Sequence, residues 1–101
     1  MVLIDKMASG QKEAIQQGLY HIGAFQRANA LAFAARYNMK DHAIVSRARS
    51  LENDDICLFG YNAGFMVSDF AKAYLHLVGE KEYSGSREEV ETLIMKKMVF
   101  D

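Results

Sequence analysis

Residues 31–55 read LAFAARYNMKDHAIVSRARSLENDD, and their pattern decides the fold class. Alanine and leucine are strong helix formers, and they fill the first part of the stretch as far as Tyr37. Asn38 tolerates left-handed backbone geometry and so suits the end of that helix. Asp41 suits the start of the next one, because its carboxylate can accept from free backbone N–H groups of a first turn. Ile44, Ala48 and Leu51 then fall on one side of a short second helix. Two helices joined by a polar turn are expected.

Working upstream, Ile15, Leu19, Ile22, Ala30, Phe33 and Tyr37 recur at spacings that fit one helical face. Gln11, Lys12, Glu13, Gln16, Gln17 and Arg27 supply the polar remainder, and Ser9 is a candidate N-cap. A first helix over 10–37 is expected, bent at Gly18 or Gly23, each of which costs roughly 1 kcal/mol against alanine. Residues 1–8 read as an extended N-terminal arm. Downstream, the second helix covers 41–52. A third covers 55–78, capped by Asp54 or Asp55, striped by Ile56, Phe59, Ala63, Met66, Phe70, Ala73 and Leu77, and stopped by Gly79. Ser86-Arg87-Glu88-Glu89 fits a capping box and opens a fourth helix over 87–99, with Val90, Leu93, Ile94 and Met98 on its buried side. The expected fold is therefore all-α, a compact bundle of about four helices, two long and two short, in a single domain 1–101. Small residues (Gly18, Gly23, Ala24 and Ala28 on one long helix, Gly60, Ala63 and Gly64 on the other) mark where the long helices should cross.

Composition narrows the class further. The chain has no proline, which argues against a loop-rich or all-β fold. Its one cysteine, Cys57, excludes an intramolecular disulfide, and no apolar run approaches the roughly 18 residues of a membrane span. A soluble cytoplasmic protein without membrane attachment is expected. The net charge of −1 conceals an asymmetry: residues 1–50 carry seven Lys or Arg against three acids, and residues 51–101 carry five against ten. Such a split can neutralise itself inside one fold or let two copies meet head to tail.

Catalytic signatures are missing. His21, His42 and His76 lack the i, i+3 or i, i+4 spacing that sets metal ligands on one helical face. Cys57 sits between Ile56 and Leu58, as a structural cysteine does. Tyr20, His21, Asp69, Tyr74 and His76 could contribute acid–base groups, but no nucleophile elbow, phosphate-cradling glycine loop or spaced carboxylate pair accompanies them. Neither enzymatic activity, a cofactor nor a metal is expected.

Two interaction readings remain. Five Tyr, six Phe and six Met exceed what a small core needs. Phe59, Tyr61, Phe65 and Phe70 spread too widely around the third helix to share one face. Phe59, Tyr61 and Phe65 are therefore the candidate partner-binding residues, for a protein partner or a homo-oligomer. The second reading starts from Ala34, Asn38 and Ile44. Their spacing resembles the helix-turn-helix family, which places a small residue, a turn glycine and a branched apolar residue at these positions. That resemblance, over about a fifth of the chain, implies DNA binding through His42, Ser46, Arg47 and Arg49, with Arg36 and Lys40 near phosphates. Asp41 would oppose DNA unless it is occupied as a cap. The protein-binding reading is preferred and nucleic acid is the alternative.

Overall fold

The computed structural model describes residues 2–58, 64–80 and 88–95. Among them the chain is mostly helical, in the order α1 (Leu3–Ala8), α2 (Lys12–Leu19), α3 (Ala24–Arg36), α4 (His42–Ser50), a 3-10 turn (Leu51–Asn53), α5 (Val67–Leu77) and α6 (Glu88–Met95). The described residues hold no strand, only an isolated antiparallel bridge between Cys57 and Met66. None of the described helices is long and apolar enough to cross a membrane. The all-α class holds, but the helices are shorter and more numerous than the four expected. A radius of gyration of 11.7 Å matches a packed chain of this length, for which about 13 Å is usual.

Helix α3 is the centre. Eight successive residues, Ala28, Asn29, Ala30, Leu31, Ala32, Phe33, Ala34 and Ala35, are buried. A helix buried on all sides needs neighbours all round, and α1, α2, α5 and α6 surround this one. Its five alanines in that run keep the methyl wall thin, so four helices can approach one axis closely.

The expected helix over 10–37 is in fact two. α2 stops at Leu19, and Gly23 opens α3 in extended geometry, so α2 folds back against α3. Gly18 makes that return possible. A Cβ there would lie 2.5 Å from Met7 Sδ and 3.0 Å from the Ala30 methyl. The glycine therefore serves a close approach of α2 to both α1 and α3, and bends no helix. Ile22, expected in the buried stripe, lies in the link between the two helices and points outward.

Residues 1–8 are not an extended arm. Leu3–Ala8 is helical and buries Met7 completely against the core. Ser9 is not an N-cap but ends α1, where its hydroxyl donates to the Lys6 carbonyl at 2.9 Å. Gly10, at φ +83°, makes the reversal into α2, and the Gln11 N–H returns to the Lys6 carbonyl at 3.1 Å. The Tyr37 ring lies against Gly10, and its hydroxyl donates to the Ala8 carbonyl at 2.5 Å, clasping the end of α1 to the end of α3.

The turn after α3 follows the sequence pattern. Asn38 adopts φ +51°, and the Met39 N–H bonds the Ala34 carbonyl at 2.8 Å. Asp41 stands at the N-cap of α4, yet its side chain makes no cap bond. It pairs instead with Lys12, whose ammonium holds the carboxyl below the usual carboxylate range.

The third helix begins twelve residues later than 55, at Val67. The chain leaves the 3-10 turn extended, and the Val67 N–H meets the Ile56 carbonyl at 3.2 Å while the Leu58 N–H meets that of Phe65 at 2.9 Å. Helix α5 is capped from within, by Asp69 accepting the Met66 N–H at 2.8 Å, and neither Asp54 nor Asp55 is its cap. Gly64 turns at φ +92° and marks no helix crossing; Gly60 and Ala63 lie outside the described residues. Gly79, at φ +81°, stops α5 as its position implied, with the Glu80 N–H on the Leu75 carbonyl at 2.8 Å. In α6, Val90 and Ile94 are buried and Leu93 packs partly against the core, whereas Ser86 and Met98 fall outside the described residues. His76 Nδ1 lies 2.9 Å from Glu91 Oε2 and ties α5 to α6.

Tyr74 is fully buried on α5, and its phenol donates to the Met39 carbonyl. Burial, helped by the negative charges of Glu80 and Asp41, raises its pKa well above that of a free phenol. The unfolded phenol ionises near pH 10. A group whose folded pKa is raised gives stability that is complete below its unfolded pKa and is lost as pH rises beyond it. Wild-type stability should therefore fall above about pH 10. Tyr74→Phe should lose about 1 kcal/mol at pH 8 for the missing hydrogen bond. In denaturant titrations repeated up the alkaline range, its curve should descend less steeply than the wild-type curve. Parallel curves would show that Tyr74 does not carry this dependence.

Candidate functional site

The link 20–23 and the extended segment 54–58 meet at one end of the molecule, and a single guanidinium joins them. Arg27 projects from the first turn of α3. Its Nε donates to Asp54 Oδ2 at 2.9 Å, and one terminal nitrogen donates to the carbonyls of His21 and Ile22, each at 2.8 Å. Its side chain is 11% exposed and that of Asp54 14%, so the pair is nearly buried. The other oxygen of Asp54 accepts the Ile56 N–H at 3.2 Å, and its backbone carbonyl accepts the Ser68 N–H at 2.8 Å. His21 Nδ1 accepts the Gly23 N–H at 2.9 Å. Hydrogen bonds thus hold the link at three successive residues.

Arg47 secures the other flank. From α4 its Nε donates to the Leu19 carbonyl at 3.0 Å, satisfying an acceptor at the end of α2. Its guanidinium also stacks 4.4 Å from the centroid of the Tyr20 ring.

These polar ties leave apolar side chains facing out. Ile22 is 93% exposed, Tyr20 68% and Ile56 52%, and Cys57 beside Ile56 is exposed as well. Arg27 ties the Ile22 carbonyl to the Asp54 carboxylate, two residues before Ile56. Three exposed apolar side chains thus stand on backbone held by hydrogen bonds, with the Arg47 guanidinium against Tyr20 and exposed Asp55 next to Ile56 in sequence.

The residues singled out from the sequence are distributed differently. Phe65 is half-buried and packs against the core, and Phe59 and Tyr61 lie outside the described residues. Among the DNA-binding candidates, Lys40, His42, Ser46 and Arg49 are exposed. Arg49 pairs with Glu80 at 3.4 Å, and His42, Val45, Ser46, Arg49 and Glu80 line a groove of about 250 Å³. Arg36 points elsewhere: its Nε donates to the Ile94 carbonyl at 2.5 Å, its guanidinium lies 5.1 Å from the Phe33 ring centroid, and burial lowers its pKa. The six residues therefore share no common face. Helix α4 packs on α5, the 3-10 turn and α2, with almost no contact to α3, although a helix-turn-helix unit packs its two helices on each other.

Among the described residues, no three His, Cys, Asp or Glu side chains stand together in a metal-binding arrangement. Comparison with protein-family models, with curated proteins and with solved structures finds no match to this chain.

Sequence reasoning missed Arg27, Asp54 and the three apolar side chains they present. The available signal was Gly23. A glycine directly after Tyr20-His21-Ile22 can open a new helix as an N-cap, which would have moved Ile22 from a buried stripe into a link.

Proposed function

We propose that this chain is a non-enzymatic, helical protein-binding module that acts in the cytoplasm and self-associates, and that its contact edge is Tyr20, Ile22 and Ile56. The observation that carries the reading is Ile22. Exposing an isoleucine this fully forgoes about 1.5–3 kcal/mol of burial. A flexible loop could fold such a side chain inward, but Arg27 bonds both the Ile22 and the His21 carbonyl and holds the link in place. A fixed apolar side chain standing this far into solvent has the anatomy of an interface anchor.

The geometry supports DNA reading less well. Arg36 and Arg47 are occupied with helix ends, α3 and α4 barely pack on each other, and Arg49 faces an acid. The purified chain is expected to show no salt-sensitive retention of duplex DNA. Lys40→Ala/Arg49→Ala is the suitable control, because both side chains are exposed and the Arg49–Glu80 pair is a surface ion pair. Tight binding that weakens steeply with salt and is lost in that variant would reverse the reading.

For the protein-binding reading, immobilised wild type and Ile22→Asp are compared for the proteins each retains from host extract. Circular dichroism verifies that both fold alike. Retention lost only in the variant is expected. Equal retention by both would remove the edge from consideration.

A further inference from the structure

The link between α2 and α3 closes on a histidine that must be neutral. His21 Nδ1 accepts the Gly23 N–H at 2.9 Å, and a backbone N–H can only donate. That nitrogen therefore carries no proton, and the ring's single proton sits on Nε2. Glycine gives the ring its room, since a Cβ at position 23 would lie 3.2 Å from Nδ1. Two cations bear on the link from the helices packed against it. Arg27 of α3 donates to the His21 carbonyl at 2.8 Å, and Arg47 of α4 bonds the Leu19 carbonyl and stacks on Tyr20. Asp54 supplies the carboxylate at this end, and Arg27 already holds it. Among the described residues, no ion pair includes the His21 ring.

We propose that His21 is a proton-sensitive catch on the link that presents Ile22, closed at neutral pH and open in mild acid. The inference rests on the protein-binding reading above and names its regulation. A second proton takes the lone pair that Gly23 uses, so that one N–H faces another. It also adds positive charge next to a carbonyl that Arg27 already holds, with Asp54 engaged elsewhere. The ring turns away and the Gly23 N–H loses its acceptor. Ile22, between the two bonded residues, is then held from one side only. Arg27 keeps both carbonyls, so the helices stay packed and the change is confined to the link. The closed link binds one proton fewer than the open one. Acid therefore favours opening, across the histidine range around pH 6.5.

Amide hydrogen exchange of the full chain, followed by NMR at about pH 8 and about pH 5 and corrected for intrinsic rates, tests this. Protection of the wild-type Gly23 N–H should fall about fivefold in acid, the worth of one hydrogen bond. The Gln11 N–H, bonded to the Lys6 carbonyl in a turn without histidine, should keep its protection. His21→Asn supplies an oxygen that accepts from the N–H two residues on at either pH, so its Gly23 protection should stay level. His21→Ala should be unprotected at both. Immobilised wild type should release in mild acid the host proteins it retains at neutral pH, and His21→Asn should keep them. Gly23 protection that ignores pH in wild type, or that falls equally in His21→Asn, overturns the inference. So does equal retention by wild type at the two pH values. If Gly23 responds as expected but wild type retains nothing at neutral pH that Ile22→Asp lacks, the protein-binding reading fails and the catch stands.

Discussion

Phe70→Ala should destabilise the fold by about 3–5 kcal/mol, the range for a fully buried aromatic truncated to a methyl. Phe70 is completely buried on α5, which packs against α3, α4, the 3-10 turn and α6. Rigid elements meet on most sides of α5, so the cavity left by the ring cannot close by moving any one of them. That places the cost above simple transfer of the lost surface. Urea unfolding read by circular dichroism gives the number directly. Leu93→Ala on α6 is the internal comparison: Leu93 is only partly buried, and its loss should cost clearly less. If the two variants unfold at similar urea concentrations, Phe70 does not anchor α5 against its neighbours.

Phe70 was legible in the sequence because long-range packing and local periodicity agree there. It sits four residues after Met66 and three before Ala73, on a segment that is helical on either reading. The same agreement explains why Asn38 and Gly79 were read correctly as helix ends. Each takes a positive φ that few other residues tolerate, and each closes a turn whose hydrogen bonds are local. Such features depend on neighbours in sequence alone.

The misread elements depend on neighbours in space. The spacing of Ile15, Leu19, Ile22 and Ala30 fits one helix, and nothing local prevents residues 10–37 from forming it. Packing decides otherwise, because a single long helix could not bring Gly18 within reach of both Met7 and the Ala30 methyl. Residues 54–66 fail as helix for a related reason. Asp69 reaches back to the Met66 N–H and starts α5 there, while Asp54 is drawn to Arg27 from α3. Asp54 did look like a capping residue, and it does satisfy a backbone donor, that of Ile56. The donor belongs to an extended segment, so a correct reading of the residue led to a wrong element. Likewise Arg47 and Arg49 look alike in sequence, but one supports the end of α2 while the other faces Glu80.

Arg27→Ala is expected to have the other large effect and to link stability with the proposed edge. The substitution leaves the Asp54 carboxylate nearly buried without its cation and removes the donors of two backbone carbonyls. Breaking a buried pair from one side costs about 3–5 kcal/mol, and the residual exposure of both side chains places this one near 3. For a domain of this size that corresponds to a melting temperature lower by roughly 12–24 °C. Asp54→Ala should cost less, because Arg27 then keeps the carbonyls of His21 and Ile22. The double variant should cost less than the sum of the two, by at least about 1 kcal/mol, since the residues form one network. Arg27→Lys should recover only part of the loss, because an ammonium cannot span the three acceptors with the geometry of a planar fork. Hydrogen exchange at Gly23 provides the local readout, as its N–H is held only while the link keeps His21 Nδ1 in place. In Asp54→Ala, whose link retains both Arg27 contacts, Gly23 should stay more protected than in Arg27→Ala. A melting temperature for Arg27→Ala within a few degrees of wild type would mean that the edge is not held by this clamp, and that the full exposure of Ile22 has no structural cause in Arg27.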